Sequence, residues 1–297
     1  MQQSAPGVVQ TLAPGLRGVI APNPGPMTHW GTNTFLVGDR DIAVIDPGPE
    51  DAAHLAAILR AVGIGSITHI LVTHAHLDHS PLARTLSQKT GAPVLAFGPA
   101  EAGRAAVMKT LVADGLAGGG EGVDTGFHPD QNLGEGDRIE GPDWHLDVLH
   151  TPGHFAGHLA FRWGEIVLSG DHVMDWSSSL VSPPDGDLAA FMATSRRLQT
   201  LVGTTFYPAH GGPLTDPADR LGWLIAHRET RETAILNALC PGPKSIAEIT
   251  RAVYTDIPPA VLPAAERNVF AHLIDLVGQG RVAARPRLGL DAGYHLL

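Results

Sequence analysis

The sequence predicts an α/β protein: a four-layer αβ/βα sandwich, two packed sheets with helices outside, followed by a small winged-helix-like unit. Three observations carry this. Apolar, strand-like runs alternate with amphipathic helical stretches over roughly the first three quarters of the chain. Four such runs end in a turn that carries His or Asp, so distant residues can meet at one edge of the sheets. After about Asp216 the pattern changes to helix, helix, helix, hairpin.

The elements follow in order. Residues 33–38 and 42–46 read as two strands around a Gly-Asp-Arg-Asp turn. Residues 51–62 are helical, with Leu55, Ile58, Leu59 and Val62 on one stripe and Gly63 as the stop. A buried strand follows at 67–72, then a helix at 81–90 closed by Gly91, and a strand at 93–97. Residues 100–112 are expected to be helical and 118–126 to form a connection. A hairpin-rich stretch spans 137–168, and a helix at 188–201 precedes the strand that ends at His210. The tail reads as helices at 223–239, from Ser245 and at 263–277, with a short terminal hairpin. Pro241-Gly242-Pro243 breaks the first helix, and Ser245 with Glu248 forms a capping box. The expected domains are therefore residues 1–222 and 223–297.

Composition narrows the function classes. A chain of 297 residues with 43% hydrophobic and 17% charged residues is globular rather than disordered. No apolar run is long enough to span a membrane, and residues 1–6 carry no signal-peptide pattern, so a cytoplasmic location is expected. Cys240 stands alone, permits no internal disulfide and reads as a small core or loop residue. The formal net charge of −10 disfavours broad nucleic-acid binding, duplex DNA in particular.

The chemistry concentrates in His74-Ala75-His76-Leu77-Asp78-His79, three imidazoles and a carboxylate in six residues after a buried strand. Imidazole nitrogen and carboxylate oxygen together suit zinc and similar divalent ions. A strand points alternate residues to opposite faces, whereas a loop can gather all four or divide them between two ions. Further donors stand at three later turns: His154 in Thr-Pro-Gly-His, Asp171 in Ser-Gly-Asp-His, and His210 in Tyr-Pro-Ala-His-Gly. Six other histidines, His54, His69, His145, His227, His272 and His295, read as core or surface residues.

This ordered set resembles the five-part metal signature of the metallo-β-lactamase-fold hydrolases over about three quarters of the chain. Gly31-Thr32-Asn33-Thr34, the turn at 151–154 with His158, the turn at 207–211 and the tail from His227 onward are similar to the β-lactamase-like protein 2 branch. The resemblance implies the sandwich fold and two divalent ions, zinc foremost, with manganese or iron as alternatives. It implies that His74, His76 and His154 hold the first ion, that Asp78, His79 and His210 hold the second, and that Asp171 bridges them. A hydroxide held between the ions would attack an ester, thioester, amide or phosphodiester centre. The candidate catalytic residues are Asp78, as a proton carrier beside its ligand role, and His158, as a donor to a developing oxyanion or as support for the site. Asp46 is expected to brace the metal loop, while His172 and Tyr207 read as packing residues. One departure is Ser80-Pro81, where many members carry a Gly-rich pair. Pro is comfortable at a helix start, so the change concerns how the helix begins.

The substrate stays open between single-stranded RNA, a thioester such as an acylglutathione, and a lactam or lactone. Arg281, Arg285 and Arg287 offer a weak grip for glutathione carboxylates. A single-iron dioxygenase shares H-x-H-x-D-H, but His210 points to a second metal, and His76 stands where a flavodiiron protein carries Glu. A nucleic-acid-binding module with an inert metal domain is the reading of a different class, and the intact ligand set opposes it. From His227 onward the chain has eight Lys+Arg and seven Asp+Glu, so packing, a homodimer face or a wall of the cleft fits the tail better than DNA reading. Residues 107–128 and 176–187 are expected to line the substrate pocket.

Overall fold

The computed structural model describes residues 3–118, 122–258 and 261–297. Met1 and Gln2 of the N-terminal segment, and residues 119–121 of the expected connection and pocket lining, lie outside the described residues. A seven-stranded sheet runs in spatial order β1 (Val9–Ala13), β2 (Leu16–Ile20), β3 (Asn33–Val37), β4 (Asp41–Ile45), β5 (Ser66–Leu71), β6 (Val94–Ala96) and β7 (Gln131–Asn132). Its β1–β4 pairs are antiparallel and its β4–β7 pairs parallel. Parallel neighbours need a crossover. Helix α1 (Ala52–Val62) supplies it between β4 and β5, and α2 (Leu82–Thr90) between β5 and β6. The second sheet has five strands in the order β12 (Thr205–Pro208), β11 (Ile166–Gly170), β10 (Leu159–Trp163), β9 (His145–His150) and β8 (Arg138–Glu140).

Side-chain alternation builds the layers. In β4, Ile42 and Val44 face α1 and α2, while Ala43 and Ile45 face the second sheet. Phe35, Leu71, Leu146, Val148, Phe161 and Leu168 fill the space between the sheets. Val167 and Phe206, on the outer face of the second sheet, are covered by Leu198 of α4 (Leu188–Gln199) and by Leu221 and Leu224 of α5 (Pro217–Leu239). The result is helix, sheet, sheet, helix.

Three boundaries differ from the sequence reading. Strands β1 and β2 extend the first sheet ahead of residue 33, where no strand is expected. Helix α3 covers only Ala106–Ala113, because Gly103 turns at φ 82 with Ala156 O packed where a side chain would begin. Helix α5 starts at Pro217, capped by the Asp216 carboxylate, so it runs through the expected boundary between 222 and 223. Its first half covers the second sheet. Its second half enters a separate core through Ile235 and Leu239.

That core belongs to the C-terminal winged-helix unit, built from α5, α6 (Ile246–Val253), α7 (Leu262–Gly278) and the hairpin β13 (Val282–Arg285) and β14 (Gly293–Leu296). Ser245 and Glu248 form the capping box of α6. Met108 and Leu111 of α3 join this core, and Ala271 of α7 packs with Leu188, Phe191 and Met192 of α4. The two units therefore interlock. Cys240 is exposed at the end of α5. Among the described residues no helix is long and apolar enough to cross a membrane.

Candidate metal centre

Four strand ends deliver the seven expected ligand residues. The loop after β5 carries His74, His76, Asp78 and His79, and His154, Asp171 and His210 follow β9, β11 and β12. Asp46, just past β4, anchors the loop. Its Oδ1 accepts the Thr73 N–H at 2.8 Å, and its Oδ2 accepts the Thr73 hydroxyl at 2.8 Å and the His79 Nδ1–H at 3.0 Å. Asp46 is left-handed at φ 50, a conformation that costs a non-glycine residue and persists where its surroundings fix it.

The ligand atoms fall into two groups. His74, His76, His154 and Asp171 offer atoms within 4.8 Å of one another, and Asp78, His79 and His210 do the same. His76 Nδ1 lies 2.8 Å from His74 Nε2 and 3.2 Å from His154 Nε2. Asp171 Oδ2 stands between the groups, 3.4 Å from His210 Nε2, 3.5 Å from His79 Nε2 and 3.7 Å from His154 Nε2. Asp78 Oδ2 is 3.1 Å from His210 Nε2 and 3.3 Å from His79 Nε2.

The donor set fits divalent cations on the ring tautomers. His154 Nδ1 donates to Leu180 O at 2.7 Å, His210 Nδ1 to Gly31 O at 3.3 Å, and His79 Nδ1 to Asp46. An acceptor on Nδ1 keeps the proton there and turns the Nε2 lone pair inward. His79 Nε2 and Asp171 Oδ1 are buried without a hydrogen-bond partner among the described residues. Inward lone pairs packed this closely repel unless positive charge sits among them. Electrostatics agree. Burial opposes charge on Asp78 and Asp171, yet the surrounding His79 and His210 hold both carboxyls well below their ordinary range. Burial likewise opposes a charged His210, but Asp171 and Asp78 push it up to about 9, and the carboxylates of Asp78, Asp171 and Asp46 hold His79 well above its usual value. Burial and the neighbouring His154 bring His76 down to about 3. The second group thus draws cationic charge toward Asp78 and Asp171, as protons on His79 and His210 or as a metal ion that replaces them, while His74 and His76 stay neutral, as ligands must be.

His158 occupies a different place from an oxyanion donor. It is fully buried; its Nε2 accepts the backbone N–H of Asp171 at 3.0 Å, and its Nδ1 lies 2.7 Å from the Thr151 hydroxyl. An imidazole that accepts at Nε2 and is engaged at Nδ1 has no N–H left for a substrate. His172 bonds Ser195 Oγ at 3.0 Å and stacks on Phe191, and Tyr207 packs in the core between the sheets.

A cleft of about 410 Å³ opens over the cluster, with His76, Asp78, His154, Asp171 and His210 in its floor. Met27, Leu77, Met174, Trp176 and Leu180 supply apolar wall, and among the described residues no Lys or Arg lines it. The 176–187 segment contributes as expected, but described residues of 107–128 do not line this cleft. Met108 and Leu111 are taken up by the C-terminal core, and the segment with Asn23, Met27 and Thr28 takes the place expected for α3.

Sequence reasoning gave no role to three supports. Thr32 Oγ1 donates to Asp78 Oδ2 at 3.2 Å, and Asn23 Nδ2 bonds that hydroxyl at 3.0 Å. Asn33 Nδ2 holds the turn that carries His210 by donating to Pro208 O and Gly211 O, at 2.9 and 3.0 Å. The Gly31–Thr34 motif was the only signal, and nothing in its spacing ties it to the ligands.

Comparison with known proteins agrees with this architecture. Residues 27–210 match the family model described as metallo-beta-lactamase superfamily, and residues 245–287 match the beta-lactamase associated winged helix domain. The chain is 28% identical to the Beta-lactamase-like protein 2 homolog of Drosophila melanogaster, over 93% of this chain and 92% of that one. It is 29% identical to the atrochrysone carboxyl ACP thioesterase of Claviceps purpurea, over 78% of this chain and 67% of that one. A solved metallo-beta-lactamase family protein from Thermus thermophilus superposes with a TM-score of 0.76 at 27% identity, over 97% of this chain and 100% of the other.

Proposed function

The chain belongs to the metallo-β-lactamase superfamily and is a hydrolase, and from that premise we propose that it cleaves an ester or thioester bond of a small substrate with an apolar acyl group, using two divalent ions, zinc foremost. The cleft carries this reading: an apolar wall meets a metal-ligand floor, with no cationic side chain among its described lining residues. Single-stranded RNA calls for a groove that tracks a polyanion with cations and aromatic platforms, and a formal net charge of −10 adds no attraction. The thioesterase named among the relatives points the same way.

His74, His76 and His154 would hold one ion and Asp78, His79 and His210 the other, with Asp171 between them. Divalent ions bound there acidify water and stabilise charge developing on a carbonyl oxygen. The chain's own residues do the rest. Met27, Leu77, Met174 and Leu180 seat the acyl group and exclude water from it. Asp78, 24% exposed and oriented by the Thr32 hydroxyl, faces the cleft and is placed to carry a proton toward the leaving group. His158 acts as a positioning residue that holds the Asp171 backbone.

The test sets acyl thioesters of increasing chain length beside single-stranded RNA, with zinc-loaded protein and Asp78→Ala as the control. Thioester turnover should rise with acyl length and fall by about a hundredfold or more in the variant. RNA cleavage that Asp78→Ala abolishes, with no thioester turnover, would overturn the reading.

A further inference from the structure

Residues 173–181 form the wall that faces the floor of the cleft, through Met174, Trp176 and Leu180. Among the described residues, no backbone–backbone hydrogen bond holds this segment. Its carbonyls are gripped instead by arginines of the helices that build the C-terminal unit. Arg220 of α5 donates to Met174 O at 2.7 Å and to Ser177 O at 2.8 Å. Arg228 of α5 donates to Ser179 O, and Arg267 of α7 reaches Pro183 O, just beyond the segment, at 3.2 Å. The next carbonyl after Ser179 is Leu180 O, the acceptor that fixes the tautomer of His154.

Arg228 is the unusual member. It is 3% exposed, bonds the neutral Asn268 Oδ1 at 3.0 Å, lies over the Phe191 ring, and has no carboxylate among its contacts with the described residues. Burial pulls its pKa down to about 10, which leaves it charged near neutrality. A buried guanidinium with no counter-ion is costly unless its fork is used. This one uses Nη1 to lock onto α7 and Nη2 to hold the peptide beside Leu180.

We propose that Arg228, outside the cleft and remote in sequence from every ligand, is a positioning residue of the metal centre: it pins the 179–180 backbone whose carbonyl aims His154. The inference rests on the proposed metal centre. It gives the C-terminal helices a task that packing alone does not, because they set the wall of the cleft and one ligand of the first ion without contributing a ligand. The third helix of the unit, α7, is the one that a helix-turn-helix reader would lay in the DNA groove. Here it is turned toward the metal domain through Arg267 and Ala271.

The experiment titrates metal-free protein with cobalt(II), reading affinity by chelator competition and ligand geometry from the visible absorption of the bound ion. Arg228→Met should retain a wild-type far-UV spectrum, weaken one cobalt ion by about tenfold or more and shift its absorption bands. Arg228→Lys, which keeps the charge but not the fork, should rescue only in part. Arg231→Met is the control, since that side chain, one turn further along α5, bonds Val253 O of α6 and none of its described hydrogen bonds reaches residues 173–181, and it should bind cobalt as wild type does. Should Arg228→Met fail to fold, Asn268→Ala, which loosens the anchor and keeps the guanidinium, should still weaken the same ion. Wild-type protein that binds no cobalt would defeat the metal-centre reading itself. A folded Arg228→Met, or failing that a folded Asn268→Ala, with wild-type affinity and bands would defeat this inference alone, as would equal losses in Arg231→Met.

Discussion

At the scale of single residues, the candidate centre is braced by groups outside its ligand set. Asp46 accepts three hydrogen bonds, two from Thr73 and one from His79, and so links the start of the metal loop to its last ligand. Asp46→Ala leaves the buried Thr73 N–H without an acceptor and frees the His79 ring. Metal affinity should fall by about tenfold to a hundredfold, measured by competition with a chelator. Unchanged affinity would mean that the loop holds its shape without Asp46. Thr32 and Asn33 act similarly on Asp78 and on the turn that carries His210. Such supports are hard to read from sequence, because a hydrogen-bonding Thr or Asn has no spacing rule that distinguishes it from any other.

At the scale of elements, each strand end imposes its own demand. Gly153 turns at φ 146 against the backbone of Phe191 in α4, where a side chain would begin 2.4 Å from Phe191 Cα. Gly170 closes β11 at φ 52, and a Cβ there would stand 2.5 Å from His158 Nε2, the atom that accepts from Asp171. Gly170→Ala therefore strains the turn and displaces His158 together. The expected loss is about 2 kcal/mol or more of stability, read by denaturant unfolding in chelator, with weaker metal binding alongside. A variant as stable as wild type would show that β11 can shift to make room. The motif Ser-Gly-Asp-His announced a turn, but not that its glycine makes room for the His158 ring at the start of the neighbouring strand β10.

At the scale of the whole molecule, the two units share buried surface, and α7, which enters it through Ala271, also buries His272 against α5. That ring is 1% exposed, and neither nitrogen has a hydrogen-bond partner among the described residues. Burial, then Arg228, His227 and Arg231, bring it down to about 3. With an ordinary value near 6.5, the unfolded chain binds the proton that the folded chain refuses, so stability is complete above about pH 6.5 and falls as pH drops toward 3. His272→Leu removes this linkage. Relative to wild type, the variant should gain about 2 kcal/mol between pH 7.5 and pH 5, measured by chemical unfolding at both values. A difference that does not change with pH would show that His272 takes up its proton without unfolding.

The layer order, most element types and the candidate ligand set were legible in the amino-acid chain. Those features are written locally, in hydrophobic period, in turn residues and in a motif that packs four donors into six positions. The extra strands β1 and β2 and the true start of α5 were also local signals, the latter plain in Asp216-Pro217. Packing settled the rest. It gave the cleft an apolar wall from residues 26–27 and 174–180 and took the expected α3 lining into another core. It turned His158 from the cleft toward the Asp171 backbone and brought Arg228 next to the peptide that steadies His154. These are long-range meetings of single polar groups, fixed by how whole elements pack, and no periodicity along the chain encodes which arginine will meet which carbonyl.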